Sequence, residues 1–169
     1  MNTYRLKAQF LGKRLLVVFF VHVMFLCQAQ CPMPSYFNVA VVGSEAFYAG
    51  FPNPAAARTY MTEKTNEAIS QLESAFSGAN FNIKFKVFFV PNWMTSNYAS
   101  TQDPHAYALS VKNAFSSTYP CANPDALLNF IPPQYFYGHA NPFSDVATIA
   151  NPTIHTIAHE IGHIMDMEH

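Results

Sequence analysis

The sequence predicts an α/β (α+β) domain, on three observations. Strand-like and helix-like stretches alternate from Phe37 to Ile131. Half of the residues are hydrophobic and only 11% are charged, which supplies a core and argues against disorder. A last amphipathic helix then leads into a stretch rich in His and Glu, from His159 to His169. At 169 residues the chain has room for one domain.

Taken in order, Phe37-Asn38-Val39-Ala40-Val41-Val42 reads as a first strand closed by Gly43. A helix is expected from about Pro54 to Phe76, with Met61, Ala68, Ile69, Leu72 and Phe76 on one stripe and Gly78 as a stop. Phe81, Ile83, Phe85, Val87 and Phe89 alternate with Asn82, Lys84 and Lys86, which is the period of a strand, and Pro91 ends it. Asp103 caps a second helix with Pro104 at its first position, and Tyr107, Val111 and Phe115 face inward. Ala126 to Ile131 is a short apolar strand. Pro132 to Ala150 reads as irregular and aromatic. Asn151 is expected to cap the last helix, with Ile154, Ile157, Ala158, Ile161 and Ile164 on its buried side. No repeat or low-complexity segment occurs.

The first 29 residues read as a secretory signal peptide. Arg5, Lys7, Lys13 and Arg14 precede an apolar run from Leu15 to Cys27, and Cys27-Gln28-Ala29 offers small residues for cleavage. The run is short for a membrane span, which leaves an uncleaved anchor as the runner-up. Residues 30–169 would form the mature, secreted, extracellular domain, with no stable membrane association. Five basic residues then face ten acidic ones, a net charge of −5. Such a domain has no basic patch for nucleic acid or anionic lipid. Cys31 and Cys121 can pair with each other, or either can pair beyond this chain. No N-glycosylation sequon is present, because Asn151-Pro152-Thr153 is excluded by its proline.

The chemistry concentrates in His159-Glu160-Ile161-Gly162-His163, an H-E-x-x-H arrangement. On a helix the two histidines stand one turn apart on the same face, where they can grip one Zn²⁺. Glu160 sits beside the first ligand, placed to take a proton from a zinc-bound water whose pKa falls to about 7. The bland alternative is a buried helix with incidental histidines. Structural zinc competes poorly, because closed sites favour thiolates and no Cys lies near this helix. His169 follows His163 by six residues, a spacing that suits a helix stopping and turning back to the metal. His155 stands one turn before His159, and three imidazoles stacked along one helix cannot converge on one ion, so a packing or surface role is expected for it. His139, in a loop, is expected to be solvated.

Ala158 to His169, AHEIGHIMDMEH, resembles the metzincin signature H-E-x-x-H-x-x-G-x-x-H, and its wording is closest to the adamalysin/reprolysin branch of zinc endopeptidases. Asp166 replaces the turn glycine, and Asp is among the better non-glycine residues at φ > 0. The resemblance implies zinc ligands His159, His163 and His169, with Glu160 as general base. It also implies a metzincin-like upper subdomain, a twisted mixed sheet with two long helices plus the zinc-binding helix. Gln134 to Asp145 would line a cleft for an extended protein or peptide substrate. The lower subdomain with its methionine turn has no counterpart, so the chain is expected to be a fragment that binds zinc loosely and cleaves poorly alone. The rival expectation is a secreted binding or decoy domain that keeps the fold without catalysis. Substrate specificity and oligomeric state are not legible.

Overall fold

Val39 to Gly43 are buried on both sides of the backbone, the signature of a strand inside a largely parallel sheet. The computed structural model of the chain describes residues 36–79, 83–90, 93–141 and 145–167. The expected leader, Cys31, Phe81, Asn82 and His169 lie outside these residues.

The first strand, β1 (Phe37–Gly43), ends at Ser44, whose hydroxyl accepts from the Phe47 N–H and caps a five-residue helix, α1 (Glu45–Ala49). This helix has no sequence signal beyond its cap, being too short to show a periodicity. Asn53 then caps α2 (Pro54–Gly78), with Pro54 in the first turn, where a missing N–H costs nothing. Met61 and Ala68 of the expected stripe are fully buried. Next come β2 (Phe85–Phe89), α3 (Pro104–Thr118) and β3 (Ala126–Phe130). The Asp103 carboxylate accepts from the Ala106 N–H, and Tyr107, Val111 and Phe115 are buried as their spacing requires.

Two further strands lie where the sequence reads as irregular: β4 (Gly138–Asn141) and β5 (Val146–Ile149). Gly-His-Ala-Asn has little intrinsic β preference. It is a strand because β5 pairs with it, Gly138 opposite Ile149 and His139 opposite Thr148. The last helix, α4 (Ile154–Ile164), is capped by Thr153 rather than Asn151. Thr153 is extended, and its hydroxyl accepts from the Thr156 N–H at 3.1 Å. Asn151 instead accepts from the Thr153 N–H through its own carbonyl.

The mixed five-stranded sheet runs β2-β1-β3-β5-β4, parallel except for the antiparallel β4 at one edge. One face carries α2 and α4 over Val39, Val41, Leu128 and Ile149. The other carries α3 over Ala40, Val42, Leu127 and Val146. Beneath α3 lies a buried polar chain. The Thr95 hydroxyl donates to the Asn129 side-chain oxygen Oδ1 at 2.8 Å, the Asn129 side-chain amide donates to the Tyr107 hydroxyl at 3.0 Å, and Tyr107 donates to the Ser96 backbone carbonyl at 2.7 Å. Among the described residues no helix is long and apolar enough to cross a membrane.

Candidate metal centre

Ile157 and Ile161 dock α4 onto the sheet, both fully buried. Each contributes about 1.5–3 kcal/mol of burial. They fix the rotation of the helix, so that His159 is exposed, His163 half-buried and Glu160 buried. The two imidazoles meet one turn apart: Nε2 to Nε2 is 3.1 Å, the ring centroids are 4.5 Å apart, and the rings cross at 83°.

That spacing fits a metal. Two imidazole nitrogens about 2.05 Å from one tetrahedral zinc lie about 3.3 Å apart, and 3.1 Å corresponds to an angle of about 98°. The same separation also permits a hydrogen bond between two neutral tautomers. Among the described residues no three His, Cys, Asp or Glu side chains come together as a metal-holding group. The third expected ligand, His169, lies outside those residues.

The end of α4 is built to reverse the chain. Asp166 has φ 60°, the left-handed conformation expected at the position of the missing glycine. Its N–H donates to the His163 carbonyl at 3.1 Å, and the Met167 N–H donates to the Gly162 carbonyl at 3.0 Å. This pair of bonds is a Schellman closure, which satisfies carbonyls that the helix end would otherwise leave open.

An open groove of about 480 Å³ runs beside the histidine pair. Its α4 wall holds His155, Thr156, His159 and Glu160, and its opposite wall is Phe136, Tyr137 and Gly138. Part of the expected cleft segment therefore does border the site. Gly138 also shapes the site. A Cβ on Gly138 would lie 2.6 Å from Glu160 Oε1 and 2.8 Å from its Cγ. The Glu160 side chain occupies the space that any other residue at 138 would fill. A glycine inside a strand is the sequence sign of such a close approach, but it is readable only once β4 is known to be a strand.

His155 is exposed on the groove. His139, expected to be solvated, is instead half-buried, with its Nε2 3.2 Å from Nδ1 of His105. Burial, with the His105 ring beside it, pushes its pKa below the usual histidine value. Cys121 is exposed, and its expected partner lies outside the described residues. No protein-family model matches this chain, and a search of curated proteins finds no match.

Proposed function

We propose that the protein is a secreted zinc-dependent endopeptidase of the metzincin kind, adamalysin-like, acting on extracellular proteins or peptides. The observation that carries this is the meeting of the His159 and His163 imidazoles one turn apart, with His159 and the buried Glu160 side by side on one groove wall. His159, His163 and His169 would hold the ion. When bound, zinc supplies a Lewis acid for the scissile carbonyl and lowers the pKa of a water.

The chain's own residues do the rest. Glu160 takes a proton from the attacking water and returns it to the departing amine. Gly138 leaves room for that carboxylate at the groove edge. The β4 strand, last in the sheet and antiparallel to its neighbour, offers its outer edge to an extended peptide, which is the β-addition mode of recognition. The order of elements and the mixed sheet support a metzincin-like upper subdomain.

The test is metal content, followed by turnover. Protein at neutral pH with stoichiometric zinc should hold about one equivalent, strongly reduced by His163→Ala and retained in Glu160→Gln. Chelator-sensitive cleavage of a fluorogenic peptide should vanish in Glu160→Gln. No zinc above background in chelator-free buffer overturns the metal site. Equal turnover by Glu160→Gln overturns the general base.

A further inference from the structure

On the opposite face of β4 from Glu160 stands a second pair of imidazoles, separate from the H-E-x-x-H pair. His139 projects from β4 toward α3 and meets His105, the second residue of that helix. Its nitrogen separation of 3.2 Å, centroid distance of 4.3 Å and crossing angle of 81° nearly repeat the 3.1 Å, 4.5 Å and 83° of His159 and His163. Two pairs of one geometry occur in one domain. In the first, a helical repeat of four residues imposes it. In the second, the partners are 34 residues apart, and only the folded sheet brings them together.

We propose that His105 and His139 form a second transition-metal site that takes Cu²⁺ in preference to Ni²⁺ and Zn²⁺ and ties the start of α3 to the edge strand β4. The 3.2 Å nitrogen spacing lies between the values for two imidazoles on one ion at a tetrahedral centre, about 3.3 Å, and at neighbouring corners of the tetragonal centre that Cu²⁺ prefers, about 2.8 Å, so a shift of a few tenths of an ångström accommodates the ion. Imidazole is a borderline ligand that accepts all three ions, and their affinities for such a site peak at Cu²⁺. Metal binding needs neutral imidazole. A cation at the first turn of α3 is opposed by the helix dipole. The Asp103 carboxylate at the cap, close enough to act on His139, opposes that effect. Water completes the coordination, so the site is weaker than a three-ligand centre and fills after it.

Because the two ligands converge only in the folded chain, the ion binds the native state and raises its stability by mass action. This inference does not depend on the proposed peptidase activity. The test uses the full chain carrying His159→Ala and His163→Ala, so that the first pair is gone. Ni²⁺ and then Cu²⁺ are titrated, followed by the thermal midpoint and, for Cu²⁺, by nitrogen hyperfine coupling in the electron paramagnetic resonance spectrum. The expected result is a concentration-dependent rise in midpoint, with Cu²⁺ effective at lower concentration than Ni²⁺ and two coupled nitrogens.

His105→Gln keeps a hydrogen-bonding partner for His139 on an exposed position but removes the imidazole. It should weaken binding at least about tenfold, since losing even an outer partner of a ligand costs about 10–100-fold. His139→Ala should do the same. Unchanged metal response in His105→Gln, loss instead in His155→Ala, or no response to millimolar Cu²⁺ in the parent background would each overturn the site and leave a plain hydrogen bond between two neutral rings.

Discussion

Replacing Gly138 by alanine puts one methyl group where the Glu160 side chain already lies. The added carbon would be 2.6 Å from Oε1, 2.8 Å from Cγ and 2.9 Å from Cδ, all well inside van der Waals contact. Strand β4 cannot retreat without cost, because Gly138 pairs with Ile149 and the Tyr137 carbonyl before it accepts from both Ala150 and Asn151. The relief has to come from Glu160, which must swing into the groove and give up a position with 5% exposure. Overpacking of this kind costs about 1–3 kcal/mol. A flexible side chain rather than backbone is displaced, so about 1–2 kcal/mol is expected. That lowers the thermal midpoint by about 3–8 °C in a domain of this size. Urea denaturation of four proteins measures it: the parent, Gly138→Ala, Glu160→Ala and the double variant. With Glu160 truncated, the alanine should cost nothing or stabilise slightly through the unfolded chain. A neutral Gly138→Ala in the parent, or an equal cost in both backgrounds, would refute the steric account.

Other perturbations probe other parts of the fold. Asp166→Gly should stabilise by up to about 1 kcal/mol and Asp166→Val should destabilise, because the left-handed conformation at φ 60° costs any residue with a Cβ and a β-branched one most; thermal midpoints decide it. Tyr107→Phe should cost about 1–3 kcal/mol in urea denaturation, since the Ser96 carbonyl and the Asn129 amide both lose their buried partner. The Phe85 N–H and then Lys84 hold the Glu73 carboxyl below its ordinary value. A depressed carboxylate contributes stability above its unfolded pKa, and this is lost as pH falls through the folded value. Glu73→Gln should therefore lower stability at neutral pH and flatten the acid limb of the stability profile.

Much of this structure can be read from local signals. Asp103-Pro104 and Asn53-Pro54 mark helix starts because capping and a fixed φ act within a few residues. Val39 to Val42 and Ala126 to Phe130 announce buried strands by composition alone. A left-handed turn at Asp166 is what the resemblance of the motif implies, since Asp166 stands where the signature has its turn glycine. What stayed hidden is set by distant partners. The β4 segment is polar and glycine-containing, and only β5 makes it a strand. The role of Gly138 and the meeting of His105 with His139 both depend on where β4 lies. Asn151 differs for a simpler reason: Asn151 and Thr153, two residues apart, can both cap a helix, and Thr153 is the nearer to the first helical turn.

The edge position of β4 bears on how often its neighbourhood opens. Four residues long and bonded on one side only, it is the strand with the smallest stake in the sheet. Brief detachment of such a strand is a sub-global event that leaves β1, β3 and β5 paired. During that excursion the Glu160 carboxylate would lose its Gly138 wall, and the groove beside it would widen. Amide exchange of His139, whose N–H faces β5, would then report how often this groove wall opens, on a clock much faster than unfolding of the molecule.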